Sequence, residues 1–129
     1  MTRSVPEAVE RRLTSEPLAA YLATSVDDRP HVAPLWYQYD DGVVELTTKG
    51  RKLDNIRDNP NVSLAVQKAS AGIPEWMVTL LGTATVVDDE AEEKRVRREI
   101  NRKYGVDPDA YPENTLVTVS VGSASLTEY

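Results

Sequence analysis

Apolar residues along this chain fall mostly into short runs of aliphatic and β-branched side chains, bounded by Gly, Pro, Asp and Asn. Runs at 18–26, 31–39, 43–48, 61–67 and 76–87 read as strands, with two more at 115–121 and 125–129. Asp27-Asp28-Arg29-Pro30 and Asp40-Asp41-Gly42 supply turn chemistry between the first three, which makes the first third a meander of strands. Residues 69–74 read as a loop, and Gly82 inside the fifth strand predicts a bulge or a close backbone approach.

Three stretches read as helix instead. Residues 5–14 are short and charged, with Pro6 suited to the first turn and Pro17 beyond the end. Residues 52–58 place Leu53 and Ile56 on one face, and Asn59-Pro60 ends them. The third runs from a cap at Asp88 to about Tyr104, with acids early and bases late, as the helix dipole prefers. Its Val96, Ile100 and Tyr104 form a thin apolar stripe, so it belongs on the surface, laced by the pairs Glu90–Lys94, Glu93–Arg97, Arg95–Glu99 and Glu99–Lys103. The sum is one mainly β domain over residues 1–129, a β-barrel with peripheral helices, with a β-sandwich as the alternative. Strands 76–87 and 115–121 are apolar on both faces, which predicts a barrel interior on one side and a partner subunit on the other.

Charge narrows the partners. Fifteen Lys and Arg against 21 Asp and Glu leave a net charge of −6, which argues against nucleic acid and acidic membranes. No apolar run is long enough to span a bilayer and no signal peptide opens the chain, so a cytoplasmic protein is expected. With no Cys and a single His there is no thiolate chemistry, no ordinary zinc site and no His-based triad. Enzymatic chemistry here therefore calls for a bound cofactor.

The segment Thr47-Thr48-Lys49-Gly50-Arg51-Lys52 is the informative one. A strand end, a glycine turn, two hydroxyls and three cations stand immediately before a helix start, the parts of a phosphate site. The alternative is a solvated turn.

The run from His31 to Gln67, HVAPLWYQYDDGVVELTTKGRKLDNIRDNPNVSLAVQ, resembles the pyridoxamine 5′-phosphate oxidase-like, FMN-binding split barrels. The resemblance lies in the V-x-P-L-W strand, the acidic hairpin, the strand ending in Thr, the Gly-Arg-Lys turn, and Asn-Pro before a V-S-L-x-V strand. It implies a split β-barrel of about six antiparallel strands, a homodimer, and FMN between subunits. By the same resemblance Arg51 and Lys52 would hold the phosphate with Thr47 or Thr48. Pro34, Leu35 and Trp36 would line the ring, and Leu46 would pack nearby. The implied activity is hydride or electron transfer with a small organic substrate. The alternatives are a deazaflavin (F-420) reductase and a non-enzymatic FMN-binding or sensing protein.

Two departures argue against vitamin B6 oxidation: Trp36 stands where the true oxidases carry Lys, and the chain ends in Ser125-Leu126-Thr127-Glu128-Tyr129 without a Trp- and Arg-bearing segment. His31 reads as structural or solvent-exposed, and Trp76 as core or interface. Tyr37 and Tyr39 should face away from Trp36. No residue stands out as a catalytic acid or base, and no metal site is expected.

Overall fold

The computed structural model describes residues 5–129. In chain order the elements are α1 (Glu7–Leu13), β1 (Ala20–Val26), β2 (Arg29–Leu35), β3 (Gln38–Asp40), β4 (Val43–Thr48), α2 (Arg51–Asp58), β5 (Asn61–Ser70), β6 (Ile73–Val86), α3 (Glu90–Lys103) and β7 (Thr115–Glu128). All strand pairs are antiparallel, in the single-sheet order β2-β1-β5-β6-β7-β4-β3. One continuous sheet excludes the sandwich. Its two edge strands, β2 and β3, are consecutive in the chain, and only Trp36 and Tyr37 join them. The sheet therefore rolls until its edges meet at a seam, which makes a split barrel.

Alternate residues of the strands fill the interior: Leu22, Leu64, Val66, Val78, Leu80 and Val119 are each at most 1% exposed. α1 covers one end, contributing Val9 and Leu13 to the same core, and the Tyr37 phenol donates to the Leu13 carbonyl at 2.7 Å. Leu53 and Ile56 fix α2 to the barrel, as their shared face predicts. Val96 and Ile100 of α3 form a second, smaller cluster with Leu116, with Trp36 and Tyr104 packed on it. Tyr37 and Tyr39 pack on the main core, on the opposite side from Trp36.

The structure corrects several boundaries. The expected strand 31–39 breaks at the seam. There the free backbone groups find side chains at the C-terminal end of α3: the Tyr37 amide donates to the hydroxyl of the capping residue Tyr104 at 3.3 Å, and Lys103 Nζ donates to the Tyr37 carbonyl at 2.8 Å. That duty takes Lys103 away from Glu99, which is held by Arg95 and Gln38 instead. Burial lowers the Lys103 amine to about 8. Residues 69–74 are not a loop but a tight hairpin, because Ala71 (φ 51°) and Gly72 (φ 81°) form a two-residue turn. The two C-terminal strands are one, β7, interrupted by a bulge: Leu81 pairs with Ser123 and Gly82 with Val121, leaving Gly122 as the extra residue. The α3 cap is Asp89 rather than Asp88, its carboxylate accepting from the Glu92 amide at 3.1 Å. Among the described residues, no helix is long and apolar enough to cross a membrane.

Candidate cofactor site

The seam strand, the start of α2 and the loop after α3 enclose a cavity of about 410 Å³. Pro34, Leu35 and Trp36 give it an apolar wall, and Thr47 and the buried Thr48 line it at the end of β4. Lys49 and Lys52 bring two ammonium groups from either side of Gly50. Gly50, at φ 74°, is the residue from which α2 begins, and no side chain caps the helix there. The first amides of α2 are thus left for an anion, with the helix dipole behind them.

Six of the eight residues expected from the sequence meet in this cavity, and two do not. Leu46 is fully buried in the row of Val44, inside the barrel, because alternation along β4 turns it away from Thr47. Arg51 lines a neighbouring recess of about 290 Å³ together with Arg29, His31 and Asn55. Its direction follows from helix geometry, since consecutive residues at the start of α2 point about 100° apart. Among the described residues, no ion pair involves Arg29, Arg51 or Lys52. The His31 Nδ1 is buried in that recess without a hydrogen-bond partner. His31 thus shares its recess with two arginines and one carboxylate, that of Asp27. Trp76 is a core residue.

Trp36 is held rigidly. Its indole stacks on Tyr104 with centroids 4.7 Å apart and meets the edge of Tyr111 at 5.9 Å. The Tyr104 hydroxyl is in turn fixed to the Leu18 carbonyl at 2.6 Å.

The far wall, Ile100, Asn101, Tyr111, Glu113 and Asn114, was not foreseen. Asn101 is 3% exposed, and its amide donates to the carbonyls of Pro108 (3.0 Å) and Ala110 (2.9 Å), which pins the loop after α3 to the helix. The available signal was an asparagine beside Ile100 on the inner side of an otherwise charged helix. Glu113 reaches across to Lys49 at 2.8 Å, and that hydrogen-bonded ammonium holds its carboxyl below the usual range. Asn114 has a buried Oδ1 with no partner. Among the described residues there is no group of three metal-ligating side chains.

A family model described as pyridoxamine 5′-phosphate oxidase matches residues 5–125. The chain belongs to this family. No curated protein sequence matches it. Among solved structures, an F420 reductase is similar at 26% identity and TM-score 0.76, over 94% of this chain and 98% of its own. A FAD-binding protein from Mesorhizobium loti is similar at 20% identity and TM-score 0.71, over 96% and 95%. The heme storage protein HutZ from Vibrio cholerae is similar at 20% identity and TM-score 0.74, over 98% and 95%. The last two are likenesses of fold. Within the pyridoxamine 5′-phosphate oxidase family the split barrel is therefore established, while the ligand must be argued from the chain's own residues.

Proposed function

We propose that the protein is an oxidoreductase that binds FMN in this cavity and exchanges hydride or electrons with a small organic substrate. The observation that carries the reading is the union of an apolar strand wall with an uncapped, cation-rich helix start in one recess. A flat ring joined to a phosphate has the same division of character. Lys52 and, from the next recess, Arg51 would hold the phosphate with the helix amides and the Thr47 hydroxyl. Arg29 and Arg51 outnumber Asp27 in that neighbouring recess, which favours an anion at its edge. Pro34, Leu35 and Trp36 would orient the ring, and the Trp36–Tyr104–Tyr111 cluster would exclude water from its end. When bound, the flavin supplies the redox chemistry. The titratable cavity residues are Lys49, Lys52, Tyr111 and Glu113, and Lys49 and Glu113 occupy each other, so solvent is the proton source in this reading.

The deazaflavin F-420 is the second reading, favoured by the 26% identity to an F420 reductase. An absorption titration of the desalted protein with each compound separates the two. We expect saturable binding of FMN near one per chain, and reduction of the bound flavin by a nicotinamide donor or by reduced deazaflavin. A flavin that binds but is not reduced would favour storage or sensing, and uptake of neither compound would overturn the cofactor site.

We further propose a homodimer through the outer sheet face. Val32, Ala23, Ser63, Leu81 and Ser123 form one cross-strand row there, and Pro34, Tyr21, Ala65, Thr79 and Ser125 the next. Neither row holds a charge, although Val32, Tyr21 and Leu81 are 64%, 49% and 60% exposed. Pro34 belongs both to this face and to the cavity, so a second copy would border the cofactor. Leu81→Glu should convert a dimer to monomer in sedimentation and weaken FMN binding at least about ten-fold, the effect of losing roughly 1.4 kcal/mol of contacts. A variant still dimeric at micromolar concentration would remove this face from the interface.

A further inference from the structure

We infer that Glu113 is a specificity-determining residue that sets a charge ceiling on the cofactor, admitting one phosphate and disfavouring ligands with further anionic groups. The inference rests on the cavity holding a phosphate-bearing flavin and specifies which kind.

The loop after α3 has no need of an acid at this point for its own stability. Its base is secured by the two Asn101 bonds and by the Val106 amide, which donates to the Asn101 carbonyl at 3.0 Å. A turn closed by the Asn114 amide on the Tyr111 carbonyl at 3.1 Å then presents Glu113 over the cavity. The carboxylate meets Lys49, the cation nearest the β4 end of the phosphate segment, in a pair whose side chains are 63% and 49% exposed. Such a pair contributes little to folding. Its effect is on the site's electrostatics, for of the three charges on the lining Lys49 and Glu113 cancel and Lys52 remains.

A phosphate at the α2 start would be met by Lys52 and, from the next recess, by Arg51. A ligand whose phosphate continues into a carboxylate-bearing tail, as in F-420, would bring further anions into a cavity whose lining also holds Lys49 and Glu113. There an additional negative charge finds Lys49 already paired with Glu113, so no unpaired cation is left to meet it. At separations of about 6–8 Å through water, one pair of unit charges changes affinity roughly three-fold at low salt. Two or three tail carboxylates multiply that.

The test measures dissociation constants for FMN and F-420 by fluorescence, in wild type, Glu113→Gln and Glu113→Asp, at low and high salt. In wild type FMN should bind more tightly than F-420. Glu113→Gln should lower the ratio of the F-420 to the FMN constant by about three- to ten-fold at low salt. High salt should erase that difference, and Glu113→Asp should retain wild-type discrimination. A ratio unchanged in Glu113→Gln, or a change that persists at high salt, would overturn the charge ceiling while leaving the cofactor site standing. Failure of wild type to bind either compound would overturn both.

Discussion

Replacing Arg51 and Lys52 together by alanine should abolish FMN retention while leaving the barrel folded. Charge-assisted hydrogen bonds to a phosphate contribute about 1.5–3 kcal/mol each, so losing both raises the dissociation constant at least about 100-fold. The fold should tolerate the change for reasons visible in the packing. Arg51 is exposed and Lys52 half-buried, and among the described residues neither is in an ion pair. α2 is anchored by Leu53 and Ile56, and alanine favours helix. The single variants should be intermediate, Arg51→Lys the mildest, because an ammonium keeps the charge without the two-pronged fork. Titration of wild type and the four variants beside their melting curves makes the comparison. A double variant that holds FMN within two-fold of wild type, at unchanged melting temperature, would remove the phosphate from the α2 start.

That this segment was legible in the sequence, and the opposite wall was not, has a physical reason. Thr47 to Lys52 carries its chemistry locally, since a strand end, a glycine with positive φ and a helix start bring hydroxyls, cations and free amides together within six residues. Pro34, Leu35 and Trp36 were found through the same contiguous pattern. Asn101, Tyr111, Glu113 and Asn114 join the cavity only because α3 packs Val96 and Ile100 on Leu116 and returns its loop over the site. That is a long-range event, and no local run of residues encodes it. Leu46 and Arg51 are grouped with the cavity by sequence but do not line it. Sequence proximity grouped them with the site, but strand alternation and the 100° helical step direct one into the core and the other into the next recess.

The strands show the same division. Asp27-Asp28 and Asp41-Gly42 turn as their chemistry predicts, although Arg29 and Pro30 already belong to β2, whereas Ala71-Gly72 gives no turn signal because alanine rarely adopts the left-handed conformation it holds at φ 51°. The break placed between residues 121 and 125 was a bulge rather than a strand end. A run of small residues, Gly122-Ser123-Ala124-Ser125, hides a continuous β7 from any reading based on hydrophobicity.

Close packing at the bulge makes Gly82 intolerant of a side chain. A Cβ placed on Gly82 would lie 2.6 Å from the Ser120 carbonyl oxygen and 2.7 Å from Val119 Cγ1. The first is backbone, fixed in the β6–β7 ladder where Thr83 pairs with Ser120, and the second is a fully buried core methyl. Neither can step aside without opening the ladder or overfilling the barrel. Gly82→Ala should therefore cost roughly 1–3 kcal/mol, and Gly82→Val more, through overpacking alone. In a domain of this size each kcal/mol moves the melting temperature by about 3–5 °C, so the alanine variant should melt several degrees low. Gly122, across the same bulge, is the internal control. Its Cβ would lie an ordinary 3.5 Å from the Leu81 carbonyl oxygen, on the exposed side of β7. Gly122→Ala should accordingly melt within a degree or two of wild type, since glycine offers nothing there that alanine lacks. Equal destabilisation of the two variants would mean that the bulge needs glycine freedom at both positions, and that close approach is not what selects Gly82. A Gly82→Ala protein as stable as wild type would mean that the β6 and β7 backbones separate at little cost.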